Sequence, residues 1–276
     1  MSTHPSLDPV SDLSAQPRVW VVVPTYDEAG NVGPIVSAIH AHLPSATVLV
    51  VDDASPDGTG EVADQMAAAD SRVQVLHRAG KQGLGRAYLA GFEVALAAGA
   101  ELIVQMDADF SHDPRYLPGL IGATTDDPAS GRRGADLAIG SRYVKDGGVV
   151  DWSPTRRIIS RAGSIFAGLV LGLSQRDLTG GYKVWRAALL DALPRDQVQA
   201  GGYVFQIEMT YLADRSGARI VELPIVFPDR RVGVSKMSKG IVAEAFTNVV
   251  RLRWDEIRHR GLSRRAEVDA VARRVA

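Results

Sequence analysis

At 276 residues the chain is long enough for one large α/β domain, or for one domain with an appendage. Its 31 Lys and Arg against 32 Asp and Glu leave a formal net charge of −1, which gives no sign of a nucleic-acid partner; any polyanion must be met locally. The absence of cysteine excludes a disulfide framework and a thiolate metal site, leaving oxygen and histidine as metal ligands.

Residues 1–17, rich in Ser, Pro and Asp, lack the basic start and apolar core of a secretory signal and are expected to form a disordered leader. Val19 to Val23 is a short apolar run stopped by Pro24, the pattern of a buried parallel strand. A helix is expected after Gly30-Asn31, carrying Ile35, Ile39 and Leu43 inward. A second strand, Thr47 to Val51, ends in Asp52-Asp53; turn residues Ala54 to Gly58 then lead into a helix over Thr59 to Ala69. A third strand, Val73 to Leu76, precedes Arg78, Lys81 and the Gly83-Leu84-Gly85 turn into an alanine-rich helix ending near Gly99. The fourth strand, Leu102 to Val104, delivers Asp107 and Asp109, whose side chains strand alternation is expected to point the same way.

Strands alternating with helices imply a parallel sheet covered on both faces, with ligands at the carboxyl ends of its strands. Three of the four strand ends carry acidic or nucleotide-compatible groups: Thr25 to Glu28, Asp52-Asp53, and Asp107 with Asp109.

Beyond a polar loop at Asp126 to Gly134, a strand over Asp136 to Ile139 leads to Gly140-Ser141-Arg142-Tyr143. Trp152-Ser153-Pro154 opens a helix with Arg156, Arg157 and Arg161 at its start and an apolar surface beyond; Ser160, Arg161 and Ser164 interrupt it well short of a membrane span. Asp177 to Lys183 is rich in turn residues, a helix opens at Gly202, and Ala218 to Phe227 alternates as one strand. A basic loop, Pro228 to Lys239, holds Arg230, Arg231 and Lys236. These features divide the chain into the leader, one domain over residues 18–240, and a C-terminal helix with a basic tail over residues 241–276.

Two like charges one residue apart repel unless a cation lies between them, and hard oxygens suit Mg²⁺ or Mn²⁺ with a substrate diphosphate completing the shell. Two solvated acids in a loop are the plainer alternative. Asp52 and Asp53 suit either ribose recognition or turn capping. Gly83-Leu84-Gly85 lacks the third glycine of a dinucleotide fingerprint and follows the third strand, which weakens a dehydrogenase reading. Arg142, Arg230, Arg231 and Lys236 are candidate phosphate clamps or ordinary surface cations. His112 stands near the candidate metal position, where packing, capping and ligation all remain open.

Taken together, Pro24 to Asn31, Val50 to Thr59, Lys81 to Gly85, Met106 to Pro114, Gly140 to Val144, Ile158 to Arg161, Asp177 to Lys183 and Arg230 through Lys236 resemble the polyprenol-phosphate (dolichol-phosphate) mannose synthases. These are inverting glycosyltransferases of the GT-A type, an α/β nucleotide-sugar-binding fold with a mainly parallel sheet flanked by helices, here with a C-terminal helical extension. The resemblance spans about residues 18–240. It implies that Pro24, Tyr26, Glu28, Val51 and Asp53 hold the guanosine of GDP-mannose. It places Asp107, Ala108 and Asp109 at the diphosphate and at a Mg²⁺ or Mn²⁺ ion, with Ser111 beside the metal. It further implies that Arg142, Arg230 and Lys236 act with Asp109 on the diphosphate or sugar, and that Arg156, Ser160 or Arg161 holds the phosphate of a polyprenyl phosphate acceptor. Two departures are Asp27 for a usual Asn, and Gly163-Ser164 for a usual Ala-Asn pair.

Such an enzyme is expected to sit peripherally on the cytoplasmic face of a membrane, with the helix near Ile158 to Leu173 in the interface. Many relatives of this kind carry membrane spans after the catalytic domain; their absence here implies a separate membrane-protein partner or purely peripheral binding. The residues by themselves leave open a UDP-glucose-dependent glucosyltransferase acting on the same lipids, and a non-catalytic nucleotide-sugar-binding regulator.

Overall fold

The computed structural model describes residues 17–127, 129–198, 202–228, 246–254 and 258. The expected leader (save residue 17), Arg230, Arg231, Lys236 and most of the C-terminal tail therefore lie outside the described residues.

The first strand, β1 (Val19–Thr25), shows why this chain needs two covering layers. The pleat sends Val19, Val21 and Val23 to one face and Trp20 and Val22 to the other, and all five are buried. On the first face they meet Val32, Ile35 and Ile39 of α1 (Ala29–His42). On the second they meet Tyr88 and Phe92 of α3 (Leu84–Ala97). That second contact is close: a Cβ on Gly91 would lie 2.4 Å from Val22 Cγ1, so only glycine lets α3 lie this near the strand.

Between these come β2 (Thr47–Asp52), α2 (Thr59–Ala69) and β3 (Val73–His77); β4 (Leu102–Gln105), α4 (Leu117–Thr124) and β5 (Leu137–Ser141) follow. The second half holds β6 (Gly148–Val149), α5 (Pro154–Leu171), β7 (Lys183–Arg186), α6 (Ala187–Ala192), α7 (Gly202–Arg215), β8 (Ile220–Pro224) and β9 (Val226–Phe227), and residues 246–254 are helical. The main sheet runs β3-β2-β1-β4-β7-β5-β8. Its neighbours pair in parallel except β7, which lies antiparallel between β4 and β5. The mainly parallel α/β reading therefore holds.

Three local expectations are corrected. Lys183 to Arg186 follows the turn-rich segment not as more turn but as the strand β7, inserted in the middle of the sheet. Ala218 to Phe227 is not one strand: β8 pairs with β5, and past Pro224 the Ile225 amide donates to Ser141 O, turning the chain so that β9 pairs with β6. The helices α4 and α6 had no counterpart in the sequence reading.

Inserting β7 brings a lysine into the interior. Lys183 Nζ donates to Gln206 O at 2.8 Å, Gln206 Oε1 at 3.1 Å and Thr210 Oγ1 at 2.9 Å, all on α7. Gln105 of β4 joins by donating to Gln206 Oε1 at 2.6 Å while accepting from Trp185 Nε1 at 3.3 Å. Burial pulls the Lys183 pKa down to about 7, against the opposing pull of the Asp177 charge. Above that pH the folded lysine is neutral, whereas in the unfolded chain it stays protonated to about pH 10.4. The unfolded state then binds more protons, so stability rises with pH across this window. The stability difference between wild type and Lys183→Met should grow by about 1.4 kcal/mol per pH unit from pH 7 to 10, read by urea denaturation. A flat difference would show that Lys183 stays charged inside the fold.

Candidate active site

β1 has β2 on one side and β4 on the other, so the strand order reverses there and the loops leaving β1, β2 and β4 converge at one end of the sheet. Each of these loops holds a non-glycine residue in the left-handed region: Asp27 (φ 61°), Ala54 (φ 56°) and Phe110 (φ 62°). Such backbone costs about 1–3 kcal/mol per residue and persists only where the surroundings enforce it.

On the side of β1 and β2, Asp52 closes a turn. It accepts from Thr25 Oγ1 at 3.2 Å, from the Ser55 amide at 3.2 Å and from Ser55 Oγ at 2.5 Å. Asp53 is buried against Arg78, whose guanidinium also donates to Gln82 Oε1 at 2.9 Å. Of the two acids, one thus builds the loop and the other meets a cation. Lys81 Nζ sits 3.6 Å above the Tyr26 ring, and the Glu28 carboxylate accepts from Asn31 at 2.7 Å. The side chains of Val51 and Ala108 are packed in the core, so these residues can offer a ligand only their backbone. Pro24 is part-buried at the end of β1.

The strand alternation expected to orient Asp107 and Asp109 does not operate, because β4 ends at Gln105. Side-chain contacts set Asp107 instead. Its Oδ1 accepts from Tyr88 OH at 2.7 Å, and its amide donates to His112 Nδ1 at 2.8 Å. Burial of Tyr88, reinforced by the Asp107 charge, holds the phenol well above its ordinary pKa, so it remains a donor. Burial also lowers the His112 pKa against the upward pull of Asp107 and Asp109. The imidazole is therefore neutral, and since Nδ1 accepts, Nε2 carries the proton. It stacks on Tyr182 at 4.8 Å and meets the Phe227 edge at 5.5 Å. Of the three readings left open for His112, packing and backbone support are the ones observed.

Asp109 is buried, and its Oδ1 accepts from the Ser111 amide at 3.1 Å. Among the described residues no group of three or more His, Cys, Asp or Glu side chains could hold a metal. The donor set nevertheless fits a hard divalent cation: two carboxylates one residue apart, with Ser111, water and substrate oxygens able to complete the shell.

Arg142, read as a phosphate clamp, has its charge matched internally. Asp177 accepts from its Nε at 2.7 Å, its Nη2 at 2.6 Å and its amide at 2.9 Å, and Nη2 also donates to Thr179 Oγ1 at 2.9 Å. The rings of Tyr143, Trp152 and Phe227 lie within 5.5 Å of the guanidinium. The structure therefore makes Arg142 a buried strut. The Asp177 to Lys183 segment was singled out from sequence but no role was given to Asp177 or Thr179, and Tyr88 was not singled out; sequence offers no signal for a partner 35 residues away or for a tyrosine inside an alanine-rich helix.

On α5, Ser153 caps the helix by accepting from the Arg156 amide. Arg156 stacks on Trp152 at 4.0 Å, and Ser160 Oγ accepts from Tyr143 OH at 2.8 Å. These two residues are one turn apart on the same face, whereas Arg161 is exposed on the adjacent face. Arg230 and Lys236 lie outside the described residues.

Burial pushes the Asp177 carboxyl up, but the Arg142 charge and hydrogen bonds override this and hold its pKa below the ordinary value of 3.8. The pair's contribution is thus complete at neutral pH and lost only as pH falls through that lowered value. Asp177→Asn leaves the guanidinium buried without its counter-charge and should destabilise the fold by about 3–5 kcal/mol in urea denaturation at pH 7. A loss under 1 kcal/mol would show that Arg142 finds another partner.

Comparison with known proteins agrees with this geometry. The chain is 47% identical over 247 residues to an undecaprenyl-phosphate mannosyltransferase of Micrococcus luteus, covering 88% of this chain and 98% of the relative. It is 44% identical over 243 residues to a polyprenol monophosphomannose synthase of Mycolicibacterium smegmatis, covering 88% and 89%. Among solved structures, mannosyl-3-phosphoglycerate synthase from Rubrobacter xylanophilus superposes with a TM-score of 0.61 at 21% identity, over 89% of this chain and 75% of that one. Glucosyl-3-phosphoglycerate synthase from Mycobacterium tuberculosis, in complex with Mn²⁺, UDP and glucosyl-3-phosphoglycerate, does so with a TM-score of 0.61 at 19% identity, over 87% and 81%. These similarities bear out the GT-A type fold, and the match of residues 20–193 to the glycosyl transferase family 2 model places the chain in that family as a glycosyltransferase.

Proposed function

We propose that this glycosyltransferase moves mannose from GDP-mannose to a polyprenyl phosphate with inversion at the anomeric carbon. The observation that carries the reading is the match, along 88% of the chain, to two relatives named for making mannosylated polyprenyl phosphates. The site is compatible with that chemistry. A lipid monophosphate is already ionised at neutral pH, its second pKa lying near 6, so the nucleophile needs no strong base. The neutral, buried His112 is occupied by the Asp107 amide and offers none.

In this reading Pro24, Tyr26, Glu28, Asp53 and the Val51 backbone receive the guanosine. Asp107 and Asp109, with Ser111 beside them and the Ala108 backbone at the diphosphate, hold Mg²⁺ or Mn²⁺. The cation, when bound, offsets the charge that builds on the departing diphosphate. Arg230 and Lys236 also contact the diphosphate or the sugar in this reading. Arg156 and Ser160 hold the acceptor phosphate on the far side of the sugar. A phosphate oxygen then attacks C1, the C1–O bond to GDP breaks with its electron pair leaving on GDP, and α-linked mannose becomes β-linked mannosyl phosphate. Catalysis is positioning and charge stabilisation.

We further propose peripheral docking on the cytoplasmic membrane face, alone or with a separate membrane partner. No helix among the described residues is long and apolar enough to cross a membrane. Ile158, Ile165 and Leu169 of α5 and Phe246, Val250 and Trp254 of the C-terminal helix are exposed, and Phe166 stacks on Phe246 to join the two helices.

Incubating the protein with a panel of nucleotide sugars and polyprenyl phosphate, then weighing the lipid, should give a mannosyl adduct from GDP-mannose alone. An adduct from UDP-glucose would overturn the donor assignment. Asp109→Ala should abolish transfer, and full activity in that variant refutes its role at the diphosphate. Co-sedimentation with anionic liposomes should exceed the protein-only background; none above it would sink peripheral docking.

A further inference from the structure

Tyr88 stands one turn before Phe92 on the sheet-facing side of α3, the side that Gly91 lets approach Val22, and it is fully buried. Its ring stacks on Phe92 at 5.9 Å and lies almost parallel to Phe205 of α7, with the centroids 6.0 Å apart and the planes 3° from each other. A phenylalanine would serve that packing equally, and a hydroxyl taken out of water costs free energy unless it is bonded. Among the described residues the Tyr88 hydroxyl makes one hydrogen bond, to Asp107 Oδ1 at 2.7 Å.

Asp107 depends on contacts of this kind, because β4 ends at Gln105 and its pleat does not aim the side chain. His112 Nδ1 accepts from the Asp107 amide and so holds the backbone, which leaves the carboxylate to be held by the phenol. We propose that Tyr88 is a positioning residue for the transfer reaction: acting through Asp107, it holds the carboxylate in the orientation that takes up the divalent cation of the donor diphosphate. The inference rests on Asp107 and Asp109 holding that cation. Two helices keep the hydroxyl in place. Phe92 of α3 and Phe205 of α7 flank the ring, and Gln206, next to Phe205, accepts from Gln105 of β4 at 2.6 Å. The helix that clamps the phenol therefore also grips the strand from which Asp107 issues, so the sheet and two helices set the distance between hydroxyl and carboxylate. A carboxylate oriented beforehand gives up less freedom when it takes an ion, which raises its affinity for that ion.

The test titrates Mn²⁺ into the protein in the presence of GDP and reads the protein-bound ion from water-proton relaxation. Melting curves check that each variant is folded at the assay temperature. Tyr88→Phe keeps the ring and removes the hydroxyl, and should raise the Mn²⁺ Kd about tenfold. Phe205→Leu keeps the hydroxyl but removes one of the rings that clamp it, and should give a smaller rise in the same constant. Thr124→Val is the control for a lost buried hydroxyl: Thr124 of α4 is buried, donates to Ile121 O at 2.8 Å within its own helix, and should leave the Mn²⁺ Kd within about twofold of wild type. At saturating Mn²⁺ the kcat of Tyr88→Phe should return to within about twofold of wild type, since the loss lies in taking up the ion. A Tyr88→Phe rise under about twofold, an equal rise in Thr124→Val, or a loss of kcat that Mn²⁺ does not restore each overturns the positioning role. If wild-type protein binds no Mn²⁺ beyond what GDP holds by itself, the cation reading falls, and this inference falls with it.

Discussion

The buried pair of Arg142 and Asp177 is the constraint on which the active end of this molecule depends. Asp177 receives Arg142 from the end of β5 and the Gly180 amide, and its own amide donates to Glu222 of β8. Arg142 passes the connection through Thr179 to Ser164 of α5. One ion pair thereby joins two strands, a turn and the helix that carries Arg156 and Ser160. A charge pair taken out of water costs desolvation and returns it only when its geometry is nearly ideal, which makes the pair a poor source of stability and a strict source of position. Its use here sets α5 relative to the sheet.

The loop after β4 follows a different logic. Asp107 accepts from the Tyr88 phenol and its amide is held by the His112 imidazole, while Asp109 accepts from the Ser111 amide. Such neighbours fix how the two acids are presented at the end of the sheet.

The sequence made the loops after β1, β2 and β4 readable and left the surroundings of Arg142 and α5 largely dark. Apolar runs ending in Asp52-Asp53 and Asp107 announced strands, and the parallel order followed from their alternation with helices. The strand β7 was hidden because Lys183 and Arg186 flank only two apolar residues, and a lysine at full burial contradicts the usual pattern. Arg142 was a candidate clamp because a guanidinium suits bidentate oxygen contact, and only the fold reveals the Asp177 carboxylate that it meets. Asp107 and Asp109 were found for the right reason, acidity at a strand end, but are held by loop contacts that strand periodicity does not encode.

The position of β7 also bears on how the chain reaches this state. β4 ends at Gln105, yet the strand that covers its open side begins at Lys183. At a synthesis rate of about 5–20 residues per second, that edge waits about 4–16 s on the ribosome for its partner. During this interval the nascent half-sheet presents an unpaired apolar edge, the state most open to aggregation and chaperone capture. The β4–β7 seam is thus a late, high-contact-order closure.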